Sequence, residues 1–297
     1  MTLVESTEHD GVPLGDHAAG DVRRRFLRDK AAVVGLAFIA LLLVLAVFGP
    51  WLAPEGLEER NIGQYRDGPS AEHWFGTDDV GRDVFSQVIH GARVSMKVGL
   101  LATAIELLIG VSLGAIAGYF GGWLDSLLMR VTDVGLSIPY LVLAVSIAAI
   151  YGRNENSVIL VLGLTGWLGI IRIVRSSFLA LKEREFAEAA RSLGFSHARI
   201  IFRHLLPNAL QPVIVYGTIS IGAVVLSEAA LSFLNVGAVR PTASWGLMIS
   251  EAGSGSLANA PHMLFFPGLA ITLTVLAFVF VGDGLRDALD PKLRGRE

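Results

Sequence analysis

The feature that most constrains this chain is a series of apolar runs, each near twenty residues, separated by short charged stretches. As a helix rising about 1.5 Å per residue, such a run crosses a hydrocarbon core roughly 30 Å thick. Lipid offers the backbone no hydrogen-bond partners, so a spanning segment has to satisfy its own. Runs fall at Ala31–Leu52, Val94–Gly118, Val134–Tyr151, Ser157–Val174, Leu210–Phe233 and Met263–Gly282. The expected fold is an all-α, polytopic membrane bundle of six transmembrane helices. Composition agrees: 53% of residues are apolar and 17% charged, against about 25% charged in soluble domains. The chain has no cysteine, and its seven histidines are scattered, so thiol chemistry and a His/Cys metal site are not expected.

Arg23-Arg24-Arg25-Phe26-Leu27-Arg28 before the first run looks like a twin-arginine export signal. The run after it is long enough to span, and no small-x-small cleavage site follows. A first transmembrane helix with a basic flank is therefore the preferred reading. Six spans put both termini on one side, and the positive-inside rule selects it. With the termini inside, 17 of the 24 Lys and Arg lie on the cytoplasmic side, the largest cluster between the fourth and fifth runs.

The expected organisation is a cytoplasmic tail at 1–30, its first 22 residues disordered, and a first span at 31–53. An external segment at 54–93 follows, then a core at 94–284 with cytoplasmic helices at 181–207, and a tail at 285–297. In the external segment, Val84, Phe85, Val88 and Ile89 share one face over Asp83–His90, which predicts a short helix on the outer surface. Asn235–His262 is too polar to span and is expected to tuck against the bundle.

Between the fourth and fifth runs lies Arg184-Glu185-Phe186-Ala187-Glu188-Ala189-Ala190-Arg191-Ser192-Leu193-Gly194, continuing to His204-Leu205-Leu206-Pro207. Helix formers lead to Gly194, a natural left-handed stop. Ser196 can cap a second helix from about His197 to Leu206. The pattern predicts two short helices joined by a rigid bend.

Glu188-Ala189-Ala190, Gly194 and Leu206-Pro207 resemble the cytoplasmic signature of permeases in binding-protein-dependent ABC importers. The resemblance implies a MetI-like, type I importer fold. It also implies an ATPase-coupling elbow carried by Glu185, Phe186, Glu188, Ala189, Ala190, Arg191, Gly194, Leu206 and Pro207. Phe75-Gly76-Thr77-Asp78-Asp79-Val80-Gly81-Arg82-Asp83 and Gly91-Ala92-Arg93-Val94-Ser95 are similar to dipeptide, oligopeptide and nickel permeases, specifically the second, "C"-type subunit. Glu228 to Leu234, Ser244-Trp245-Gly246 and Gly282 to Pro291 are similar to the same group. Asn235-Val236-Gly237 departs from the Gly-Leu-Gly expected there. Asp78, Arg82, Asp83 and Trp245 become candidates to face an external receptor.

No Gly-Lys-Ser/Thr phosphate loop is present. The chain is therefore not expected to hydrolyse ATP by that route, and the resemblance implies no cofactor and no catalytic residue in it, with ATP and Mg on partner subunits. The implied partners are a homologous permease, two ATPases or one fused ATPase, an external substrate-binding protein and membrane lipid, with no nucleic acid. The expected place is the cytoplasmic membrane and the expected cargo di- or oligopeptides, with nickel chelates and glutathione as alternatives. Inside the spans, Glu106 and Glu228 stand out. A mid-bilayer carboxylate costs about 2.5–3.5 kcal/mol. Glu106 either faces the path as a cation site or gate, or is a hydrogen-bonded carboxyl at a helix interface; Glu228 suggests structure or gating near the outer gate. A secondary transporter would need relays or repeated broken helices, for which Glu106 is the single candidate relay and no repeat is visible; an intramembrane enzyme would need paired His, Cys or Asp groups within the spans, which are lacking.

Overall fold

The computed structural model describes residues 16–290. Of the 22 residues expected to be disordered, 1–15 lie outside them, as do the last seven residues of the expected C-terminal tail, while 16–22 instead open a helix. The order is α1 (Asp16–Arg28), α2 (Lys30–Leu52), α3 (Val84–Phe120), α4 (Gly122–Ser137), α5 (Tyr140–Tyr151), α6 (Glu155–Leu181) and α7 (Glu185–Ser192). Then come α8 (His197–Arg199), a π-helical stretch (Ile200–Leu205), α9 (Leu206–Phe233), α10 (Trp245–Asn259) and α11 (His262–Leu289). Among the described residues, five helical stretches are long and apolar enough to cross a membrane: α2, α3, α6, the run His197–Phe233 and α11. The third expected span differs. Instead of one helix over Val134–Tyr151, α4 and α5 meet at an angle of 89°. Pro139 caps α5, and its ring disfavours helical backbone at Ile138, which is extended (φ −87°, ψ 126°).

The expected surface helix is also corrected. Asp83 caps α3, its carboxylate accepting from the Ser86 N–H at 2.7 Å, and the residues that follow are the opening turns of a 37-residue helix. The helix runs unbroken from His90 to Val94, and at Gly91 the Trp245 ring lies where a Cβ would stand. Val84 and Ile89 are buried, and so are Ser86 and Gln87.

The centre of the bundle is the α3–α6 pair. Gly110, Gly114 and Gly118 make a small-residue stripe on α3, and α6 lies directly on it. A Cβ at Gly114 would meet the Val174 Cβ at 2.7 Å and the Ile171 carbonyl at 2.8 Å; one at Gly118 would meet the Phe178 Cβ at 2.6 Å. Lipid gives helices no hydrophobic reason to associate, so close backbone packing supplies the attraction. α9 and α11 pack against this pair and each other, and α2 lies on α3 and α11.

One end of the bundle gathers α1, α7, α8 and the last turn of α11. The Gln211 amide donates to the Leu289 carbonyl at 2.8 Å, and Phe26 of α1 packs beside Gly284. At the opposite end, 54–83 folds as an irregular layer over α3, α10 and α11. The His73 ring bridges Asp83 (3.1 Å) and Gln64 (2.7 Å), and Phe75 stacks on Phe266 at 3.8 Å. Asn235 departs from the expected glycine, yet it takes glycine's conformation (φ 59°). The Val236 N–H reaches back to the Leu231 carbonyl at 2.9 Å, so α9 ends in an ordinary left-handed cap. Asparagine is among the few side chains that tolerate this region.

Candidate functional site

The elbow begins at Arg184 and is built on α7. Glu185 and Glu188 lie in its first turn, where carboxylates complement the positive helix end. Ala187 and Ala190 are buried and belong to a core with Phe178 of α6, Ile200, Ile201, Leu205 and Ala209. Their methyl groups let α7 lie close to the bundle. Glu185, Phe186, Glu188, Ala189 and Arg191 stay exposed.

Gly194 ends the helix at φ 74°. Its N–H donates to the Arg191 carbonyl at 2.9 Å, and the Phe195 N–H donates to the Ala190 carbonyl at 3.2 Å. These two bonds define a Schellman cap, so the bend is held by backbone chemistry. Ser196 then caps α8, its hydroxyl accepting from the Arg199 N–H at 3.4 Å.

The second half of the elbow differs from the expected short helix ending before Pro207. α8 runs through the π-helical stretch directly into α9. Pro207 has no N–H to give, and a proline inside a continuous helix leaves a carbonyl one turn back without its bond. The wider π turn absorbs this mismatch. The Leu206 N–H bonds the Ile201 carbonyl, and the Asn208 side-chain amide takes the His204 carbonyl at 2.7 Å. Leu206 is half-buried and Pro207 exposed. The elbow is thus one short helix and a turn, mounted on the end of a long membrane helix.

Contacts far apart in sequence fasten it. The Tyr119 hydroxyl lies 2.7 Å from His197 Nδ1, with Phe120 packed beside the imidazole. The Lys182 ammonium donates to the Gly118 carbonyl at 3.0 Å. Arg175 makes a two-pronged ion pair with Asp125, one bond at 2.6 Å. The Phe195 ring carries the Arg199 guanidinium at 4.0 Å and stacks with His204. Sequence reading missed these groups because the partners of His197 and Asp125 lie 78 and 50 residues away. Phe186, named from the sequence, is 41% exposed; the sequence reading did not name Leu193 (72% exposed) beside it, nor Phe202 (69%), which lines an apolar groove along α3 with Leu107, Leu108 and Val111.

The remaining candidates are inside the molecule. Glu106 is 2% exposed; the Ser220 hydroxyl lies 2.9 and 3.0 Å from its two oxygens, and Tyr216 also bonds it. This is the helix-interface arrangement rather than an open cation site. Tyr216 itself lines a cavity of about 560 Å³ between α6, α9 and α11, together with Gln211, Arg286 and Asp290. Glu228 is 1% exposed and accepts from Ser232 at 2.7 Å and Ser95 at 3.4 Å, joining α9 to α3.

Asp78, Arg82, Asp83 and Trp245 do not form an outward surface. Asp78, Asp83 and Trp245 are buried, and the Arg82 side chain is 11% exposed. The Trp245 indole donates to the Val88 carbonyl at 2.9 Å. Asp78 accepts from the Arg82 guanidinium (2.6 Å), the Gln87 amide (3.0 Å) and the N–H groups of Val80 and Arg82. Arg82 and Arg240 both reach Glu251, and Arg240 also donates to Gln87 at 2.7 Å. These charge-assisted bonds tie 54–83 to α10 through Glu251, whose side chain is 33% exposed. Burial alone would raise the Asp78 carboxyl, but the backbone N–H bonds and the Arg82 charge together hold it below its ordinary range.

A group held low stabilises the fold fully above its unfolded value of about 3.9 and loses that contribution as pH falls through the folded value. Asp78→Asn is expected to cost about 1–3 kcal/mol. Thermal unfolding in detergent measures it; an unchanged midpoint at neutral pH would show that the clamp carries no stability.

Comparisons with known proteins place this geometry. A family model described as "Binding-protein-dependent transport system inner membrane component" matches residues 110–295, and "N-terminal TM domain of oligopeptide transport permease C" matches residues 19–69. The dipeptide transport system permease protein DppC of Alkalihalophilus pseudofirmus is 43% identical over 271 residues, covering 91% of this chain and 89% of that one. The glutathione transport system permease protein GsiD of Escherichia coli O157:H7 is 44% identical over 273 residues, covering 92% and 90%. A structure of the MetNI methionine ABC transporter in an inward-facing conformation aligns with a TM-score of 0.57 at 20% identity, covering 69% of this chain and 97% of that one. It shares the fold. The spans, the elbow and these matches together show that the chain is a multi-pass membrane protein belonging to the binding-protein-dependent transport system inner membrane component family.

Proposed function

We propose that the chain forms half of the translocation path of an ATP-driven importer in the cytoplasmic membrane and that its elbow docks into an ATPase subunit. The observation that carries this reading is the pair of exposed apolar side chains Phe186 and Leu193, at the two ends of α7, beside a bend fixed by hydrogen bonds. Large exposed side chains at a rigid, water-facing corner are the anchors of a protein interface. In this reading the elbow end faces the cytoplasm, in keeping with its arginines. A homologous permease supplies the other half-path, two ATPases or one fused ATPase hold ATP and Mg, and an external receptor delivers cargo. ATP closes the ATPases and draws the elbows together. Tyr119, Lys182 and Arg175 then transmit the movement to α3, α4 and α6. Differential affinity of the two states for ATP supplies the free energy.

Dipeptides and oligopeptides are the proposed cargo, supported by the names of the dipeptide relatives. The glutathione relative supports a second reading in which the cargo is that tripeptide. The test is ATP hydrolysis by the reconstituted assembly with receptor loaded by one ligand at a time. Stimulation by dipeptide-loaded receptor is expected; stimulation by glutathione-loaded receptor alone would select the second reading. Transport that continues with hydrolysis-dead ATPases would refute ATP-driven import.

A further inference from the structure

α1 is a short basic helix that stops one residue before the first membrane span, with Asp29 alone between Arg28 and Lys30. The Asp29 carboxylate caps α2 through the N–H of Ala31 at 2.9 Å, and its extended backbone (φ −78°, ψ 106°) breaks the helix. Because α2 crosses the membrane, α1 is held at the level of the phospholipid headgroups.

The two faces of α1 are sorted by helical spacing. Val22 and Phe26, one turn apart, are half-buried, and Phe26 packs into the core beside Gly284 of α11. Arg23, Arg24, Leu27 and Arg28 are exposed. Residues three and four apart share a face, so Arg23 and Arg24 flank Leu27, which is 52% exposed. Docking on α11 is already supplied by Phe26, which leaves Leu27 without an intramolecular reason to be apolar. An exposed leucine ringed by arginines at headgroup depth is the pattern of a helix lying in the membrane interface. There the leucine enters the acyl boundary, and the guanidinium groups meet phosphates in a two-pronged geometry that lysine reproduces less well.

We propose that the Arg23–Arg24–Leu27 face of α1 is a binding site for the headgroups of anionic phospholipids. The site orients α1 on the membrane surface and, through Phe26, the end of α11. It depends only on α2 crossing the bilayer, so its test is independent of the cargo and of the ATPase.

The chain has no cysteine, so Lys30→Cys, at an exposed position beside the proposed face but outside it, gives a single labelling position for a fluorophore in the full chain. The labelled protein is placed in nanodiscs mixing phosphatidylglycerol and phosphatidylcholine, with bromine on the chains of one lipid or the other. Brominated phosphatidylglycerol is expected to quench at least about twice as strongly at equal mole fraction. The excess is expected to shrink as salt is raised, because headgroup attraction is screened. Arg23→Gln/Arg24→Gln should equalise the two lipids, while Arg23→Lys/Arg24→Lys should keep a preference. Equal quenching in the parent overturns the proposal. So does a preference that survives Arg23→Gln/Arg24→Gln in protein whose helix content and insertion match the parent.

Discussion

Replacing Gly194 with valine is expected to abolish transport by the reconstituted assembly while leaving the chain inserted in the membrane. The reason is conformational and not steric. A Cβ at Gly194 would meet nothing within 4 Å, but the residue sits at φ 74°. A β-branched side chain there costs about 2 kcal/mol, which lowers the population of the docked bend by roughly 30-fold. The elbow can relax because it is exposed, so the fold survives and the geometry of its exposed corner does not. Glu188→Lys tests the same site through charge. Glu188 is exposed in the first turn of α7, so reversing it disturbs the helix by only about 0.3–1 kcal/mol. A large loss of transport would therefore come from the interface. Vesicle uptake and ATPase co-purification are the measurements. Normal values of both in both variants would remove the coupling role from this segment.

The second large effect is expected at the centre of the bundle. Gly114→Leu would drive a side chain into Val174 and the Ile171 carbonyl, positions that a Cβ alone would already meet at 2.7 and 2.8 Å. Overpacking a tight core costs about 1–3 kcal/mol or more, and here the obstacle includes backbone, which cannot turn away. The α3–α6 pair is expected to separate, with loss of the monodisperse species by size-exclusion chromatography in mild detergent. Gly268→Ala in α11 is the control, since a Cβ there meets nothing within 4 Å. A Gly114→Leu chain as stable as the Gly268→Ala chain would show that the stripe is not the packing surface.

The membrane spans were legible in the sequence because each is decided locally: about twenty apolar residues cross lipid whatever surrounds them. The same holds for the elbow's first helix and its stop at Gly194, where a left-handed residue terminates a helix by its own backbone chemistry. Boundaries were less legible. The α3 helix swallowed the expected surface helix, because its first turns are buried by Trp245 from 157 residues away, and periodicity alone cannot tell a lipid surface from a protein one. The third span was read through its break, because an apolar run does not reveal how Pro139 aims the two halves.

Charged side chains were the least legible. Asp78, Arg82 and Asp83 stood in a polar loop and suggested an outward face, yet the fold turns them inward and pairs them. Glu106 could be a gate or a bonded interface group, and only the position of Ser220 on another helix decided between them. Hydropathy is a property of a segment and survives without its neighbours. A charge is tolerated or exposed according to the partner it meets, and that partner comes from elsewhere in the chain. Accordingly, the amino-acid order determined the membrane spans and the bend after Ala190. Tertiary packing decided which polar groups stay inside and which side chains, Phe186 and Leu193 among them, stay exposed at the elbow.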